Sequence, residues 1–253
     1  MPFLRAAGHA LEFESIPGKG PTLVFLHEGL GSIRQWRDFP ARVAAATGCP
    51  ALIYARYGYG QSDVLSEQRN ARFMHSEALQ SLPGILRERK IEKPVLIGHS
   101  DGASISLIHA GAGNPVLGLA VLAPHVFVEE HGLAGIRAAK RAFAETDLPA
   151  RLGKYHRDAE KTFRGWNDIW LADEFRAWNI EEYLPGIRCP VLAIQGEDDE
   201  YGTMAQVEAI RRQVTGPCEI LKLARCGHSP HRDQPERAVE AVSGFIRGIL
   251  SPA

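Results

Sequence analysis

Pro94-Val95-Leu96-Ile97-Gly98-His99-Ser100-Asp101-Gly102 is the stretch on which the reading of this chain turns. It opens as a short aliphatic run, the pattern of a buried strand. It closes as G-x-S-x-G, and residues 103–111 beyond it have a helical pattern. A serine hydroxyl is a weak nucleophile and must be presented to a base and to donors for an oxyanion. A sharp strand-to-helix turn with glycines two positions either side does this, because the small residues leave room for a strained backbone. Ser100 is therefore the candidate nucleophile.

Outward from this point the same rhythm repeats. Apolar runs at 22–26, 51–54, 117–123, 190–194 and 219–223 read as further strands, and 33–47, 71–89, 204–214 and 235–250 as helices. Alternation of this kind predicts an α/β fold with a mostly parallel central sheet and helices on both faces. In such sheets ligands bind beyond the carboxyl ends of the strands, where this chain places loops rich in Gly, His, Ser and Asp. The alternation fails once, between 124 and 188. That segment carries three of the four tryptophans, Trp166, Trp170 and Trp178, along with Phe127, Phe143, Phe163 and Phe175. The expectation is a core of residues 1–123 and 189–253 with a helical cap, 124–188, inserted above the site. Some of these aromatics hold the cap together, and Trp166 and Trp170, four apart on one face, are candidates for the pocket wall together with Glu28.

A base and an acid must accompany the nucleophile. Cys226-Gly227-His228-Ser229-Pro230-His231 follows the last strand and offers two candidate bases, His228 and His231. Gly227, which permits the turn that aims the next residue, favours His228 and leaves His231 to the surface or a supporting place. The acid belongs to Glu197-Asp198-Asp199-Glu200, after the strand at 190–194; the residues alone say only that one of the four serves. Oxyanion donors are expected from the Asp101 N–H and from the loop His27-Glu28-Gly29-Leu30-Gly31.

Taken together these motifs resemble the α/β-hydrolase superfamily, from about Thr22 to Leu250. His27-Glu28-Gly29-Leu30-Gly31 is similar to its H-G-x-x-G oxyanion loop, and Arg56-Tyr57-Gly58-Tyr59-Gly60-Gln61-Ser62 to its R-G-x-G-x-S loop. Gly196-Glu197-Asp198-Asp199 resembles its G-x-x-D, which implies Asp199 as the acid, and Gly227-His228 matches its terminal pair. The resemblance implies a Ser100-Asp199-His228 triad, Gly29 as second donor, and hydrolysis of a small carboxylic ester. Thioester, amide, lactone and C–C bond hydrolysis use the same triad, and a ligand receptor on this fold would carry it without turnover. Two residues depart from the pattern. Glu28 stands where a glycine is usual, and is expected to turn from the oxyanion hole toward Arg34 or Arg56. Asp101 stands where a small residue is common. It is explained either by the helix dipole or as a contact to a cationic or hydroxylated substrate.

Composition narrows the partners. In 253 residues, 29 basic and 30 acidic side chains leave a formal net charge of -1, which gives no electrostatic case for nucleic acid or an anionic membrane. No apolar run suits a signal or a membrane span. Cys49, Cys189, Cys218 and Cys226 form no C-x-x-C pair, so free thiols and a cytoplasmic location are expected. No metal or organic cofactor is implied, and the expected partner is a small ester-like molecule.

Overall fold

The computed structural model describes residues 2–251. Eight strands form one sheet in the order β1-β2-β4-β3-β5-β6-β7-β8. They are β1 (Phe3–Ala6), β2 (His9–Ile16), β3 (Leu23–Leu26), β4 (Ala51–Tyr54), β5 (Val95–His99), β6 (Gly118–Leu122), β7 (Val191–Gly196) and β8 (Cys218–Leu223). From β4 to β8 every pairing is parallel; β1–β2 and β2–β4 are antiparallel. The expected strands are thus present, and β1 and β2 extend the sheet beyond them.

The parallel strands are buried on both faces, which is why they appear as unbroken apolar runs. In β3, Leu23 and Phe25 join one core cluster while Val24 and Leu26 join another, as the two-residue period of a strand requires. The first cluster packs under α1 (Phe39–Thr47), and the helices that cover the second include α3 (Leu82–Glu88), preceded by α2 (Phe73–Ser76). Two expected helices are less regular than their patterns suggest. Residues 33–47 divide into a 3₁₀ turn, Ile33–Trp36, and α1, with Arg37 at φ 55 between them. Between α2 and α3, Glu77–Ser81 widens into a π-helical stretch directly before Pro83, which has no N–H for a normal helical bond.

α4 (Asp101–Gly111) follows β5 at once. Between β6 and β7 the chain forms α5 (Glu130–Glu145), α6 (Leu148–Leu152), α7 (Ala159–Leu171) and two 3₁₀ turns, with no strand in this interval. α8 (Met204–Gln213), α9 (Pro230–Asp233) and α10 (Pro235–Leu250) complete the chain, and α10 joins α1 over the first cluster. Among the described residues no helix is long and apolar enough to cross a membrane, and all four cysteines are unpaired.

Candidate active site

The turn from β5 into α4 places Ser100 at φ 53 and ψ -119, a region that residues with a side chain seldom enter. Surrounding structure holds it there. Ser100 N–H donates to the Leu122 carbonyl at 2.9 Å, and its own carbonyl accepts from Ala103 N–H at 2.8 Å. A Cβ on Gly98 would strike the Gly102 carbonyl, and one on Gly102 would strike the Leu26 carbonyl. The flanking glycines let the elbow sit this close to β3.

Asp199 and His228 come together across the loops after β7 and β8. His228 Nδ1 lies 2.8 Å from Asp199 Oδ1 and 2.9 Å from Oδ2. The same carboxylate accepts from the N–H groups of Tyr201 at 2.8 Å and Gly202 at 3.2 Å, and from Gln195 Nε2 at 2.7 Å. Burial alone would raise the carboxyl's pKa, but His228 and these donors hold it well below the usual carboxylate range. Of the four acids in this loop only Asp199 is buried. Glu197 and Asp198 face solvent, while Glu200 Oε2 accepts from His228 N–H at 3.3 Å. For His228, burial lowers the imidazole pKa, and Asp199, with smaller help from Glu200 and Glu28, raises it above its ordinary value. His231 is not part of this pair: it is buried against Trp36 and His99, and burial beside His99 pushes it down to about 3.

Ser100 and His228 open onto one cavity of about 410 Å³. No hydrogen bond joins them among the described residues; in ligand-free sites this contact is commonly long and tightens with substrate. Gly29 also lines the cavity, and its N–H has no partner among the described residues, while Asp101 N–H sits in the first turn of α4, where helical donors lack internal acceptors. A Cβ on Gly29 would strike the Trp166 indole, so α7 packs directly on this loop. Beneath it, His27 Nε2 accepts from Arg56 N–H at 3.0 Å and Nδ1 donates to the Glu28 carbonyl at 2.7 Å.

Glu28 lines the cavity, and its carboxylate pairs with neither of the expected partners, Arg34 and Arg56. Its Oε2 lies 3.3 Å from His99 Nδ1, and His99 Nε2 donates to the His228 carbonyl at 2.7 Å. Arg34 instead reaches the Lys154 carbonyl. Arg56, fully buried, donates to the Glu28 and His27 carbonyls at 2.9 and 3.3 Å and pairs with Asp101 Oδ2 at 3.6 Å. The Asp101 carboxylate is wholly buried on Arg56 and does not line the cavity, so of the two explanations for it a direct substrate contact is not supported. The loop after β3, the β5–α4 turn and the loop after β8 are thereby tied together through the Glu28–His99 contact, the His99–His228 hydrogen bond and the Arg56–Asp101 ion pair.

Trp166 and Trp170 line the cavity with Ile136, Leu148 and Leu152 from the neighbouring helices. The other aromatics of this segment pack among themselves: Phe143 stacks on Phe163 at 3.9 Å and Phe175 on Trp178 at 5.3 Å. Tyr201 and His125 complete the wall, with Arg151, Lys154 and Arg232 also on the lining. Sequence reasoning missed His125, although it sits just beyond β6, where the rule of carboxyl strand ends would have found it.

A family model described as the alpha/beta hydrolase family matches residues 23–242. A 2-succinyl-6-hydroxy-2,4-cyclohexadiene-1-carboxylate synthase of Salmonella paratyphi C is 26% identical, over 94% of this chain and 98% of that protein. An esterase of Mycobacterium tuberculosis is 23% identical, over 90% of this chain and 84% of that one. Among solved structures, an enol-lactonase from Burkholderia xenovorans superposes with a TM-score of 0.76 at 17% identity, covering 97% of this chain and all of that one.

Proposed function

The chain belongs to the alpha/beta hydrolase family, and on that premise we propose that it hydrolyses small carboxylic esters through an acyl-serine. Ser100 attacks the carbonyl carbon, and His228 Nε2 takes the hydroxyl proton and returns it to the leaving alcohol. Water then releases the acid by the same steps reversed. Asp199 keeps the proton of His228 on Nδ1, which leaves Nε2 bare to act as base. The N–H groups of Gly29 and Asp101 receive the oxyanion. What carries this reading is the Asp199–His228 pair, opening with a strained Ser100 onto one cavity. A burst assay with activated esters tests it. Turnover beyond the burst, with an acyl mass increment on Ser100, is the expected result; a stall after about one equivalent would indicate a receptor instead.

Residues 124–188 act as a cap that closes the cavity and sets its shape. Bounded by Trp166, Trp170, Ile136 and Leu148, a space of about 410 Å³ favours a compact acyl group. Across esters with acyl chains from about two to about sixteen carbons, kcat/KM is expected to peak among the shorter members. A profile that climbs to the longest chain, or activation at a lipid–water interface, would contradict the compact pocket.

The pH profile follows from His228. The base must be neutral, and its pKa is raised in the folded protein. Activity is therefore lost as pH falls through that raised value, so the acidic limb of kcat/KM has its midpoint above the ordinary imidazole value of 6.5. Removing the Asp199 charge should move that midpoint to lower pH. An acidic limb unchanged in Asp199→Asn would assign it to another group.

A further inference from the structure

His125 lies just beyond β6, and nothing described so far uses its side chain. The residue is only 4% exposed, yet it lines the cavity that holds Ser100. Its carbonyl is fixed by Ser104 Oγ of α4 at 2.6 Å. Trp170 stands edge-on to its ring at 5.2 Å, and the His228 ring is tilted against it at 5.6 Å. A Cβ on Gly202 would lie 3.2 Å from its Cε1 and 3.4 Å from its Nδ1, so that edge of the imidazole is closely packed. The ring is held by contacts that give it orientation. Among the described residues its nitrogens nevertheless hold no hydrogen bond, and only the carbonyl is engaged.

Unlike the nitrogens of His231, which are sealed in the core without a partner among the described residues, those of His125 are reachable from the cavity its residue lines. A polar side chain this enclosed, fixed and aimed into a ligand cavity finds its partner in the ligand. Burial, helped by His228, lowers its pKa to about 3. In the working range of His228 the ring is then neutral, with one N–H donor and one bare nitrogen. Such a group offers no charge to a carboxylate or phosphate. It matches a neutral partner that donates, accepts or does both.

We propose that His125 is a specificity-determining residue that hydrogen-bonds a neutral polar group, a hydroxyl or a carbonyl, carried by the substrate beside its scissile carbonyl. The proposal rests on the ester-hydrolase reading for the chemistry at Ser100 but not for the binding at His125. Its substrates are then 2-hydroxy or 2-oxo acyl esters, or close relatives, in preference to plain alkanoates. A site built to bond a polar group rejects the analogue that lacks it far better than an apolar pocket rejects one methylene.

The test compares p-nitrophenyl propanoate with p-nitrophenyl 2-hydroxypropanoate, each rate divided by that of hydroxide hydrolysis to remove intrinsic reactivity. The wild-type protein should prefer the hydroxy ester by about tenfold or more in kcat/KM. His125→Phe should lower kcat/KM for the hydroxy ester about tenfold more than for the propanoate, so that the preference is lost, whereas His125→Gln should keep part of it. A wild type without preference, or His125→Phe slowing both esters alike, would overturn the proposal. A second measurement is independent of turnover: titration of Ser100→Ala with 2-hydroxypropanamide and with propanamide. Tighter binding of the hydroxy amide, lost when His125→Phe is added, supports the role of His125 even if no ester is hydrolysed. Equal binding of both amides overturns it.

Discussion

Ser100→Ala should lower kcat for any ester substrate by about 10⁴-fold or more while the protein remains folded. The methyl group of alanine fits wherever the serine Cβ fits, so the strained turn and the packing of Gly98 and Gly102 against it are unchanged. What disappears is the hydroxyl proposed to attack the carbonyl. Residual hydrolysis would come from the donors and from binding, with water as the nucleophile. Measurement of kcat alongside a thermal melt checks this. A correctly folded variant that keeps more than about a tenth of wild-type kcat would show that another group attacks the carbonyl.

The second large effect belongs to the acid. Asp199→Asn should cost about 10⁴-fold in kcat, and Asp198→Asn little. Asp199 Oδ1 accepts from the N–H groups of Tyr201 and Gly202. An asparagine carbonyl at the Oδ1 place would keep those bonds, and its amide nitrogen would replace Oδ2 against two donors, His228 Nδ1 at 2.9 Å and Gln195 Nε2 at 2.7 Å. Two N–H groups cannot share that contact, so the imidazole must move its proton to Nε2, where it no longer accepts from Ser100. The base is then held in the wrong tautomer. Asp198 is exposed and touches neither group. Comparable mild losses at both positions would move the search for the acid to the loop after β6, where Glu129 and Glu130 stand.

Much of this arrangement was legible in the chain because burial writes itself into sequence. Strands β3 to β7 are enclosed on both faces, so each is an apolar run that stops where a polar loop begins. By contrast β2, His-Ala-Leu-Glu-Phe-Glu-Ser-Ile, mixes buried and exposed positions and, like β1, gave no such run. Choosing Asp199 among four neighbouring acids needed the family resemblance. Its physical distinction is burial under four nitrogen donors, a property of the fold that no local pattern contains. The partner of Glu28 was misjudged for the same reason. Charge alone pointed to arginine, whereas the backbone carbonyls of its own loop and Asp101 claim Arg56 and leave His99 for the carboxylate.

The left-handed backbone at Ser100 also bears on how such a chain evolves. A residue held in a sparsely populated conformation costs on the order of 1–3 kcal/mol, against a total folding stability of roughly 5–15 kcal/mol. Glycine would adopt φ 53 and ψ -119 with little of that cost. Selection for heat tolerance alone would therefore drift toward glycine at this position and discard the hydroxyl. On the proposal that Ser100 is the nucleophile, a serine kept at so unfavourable a place reflects selection for activity over durability.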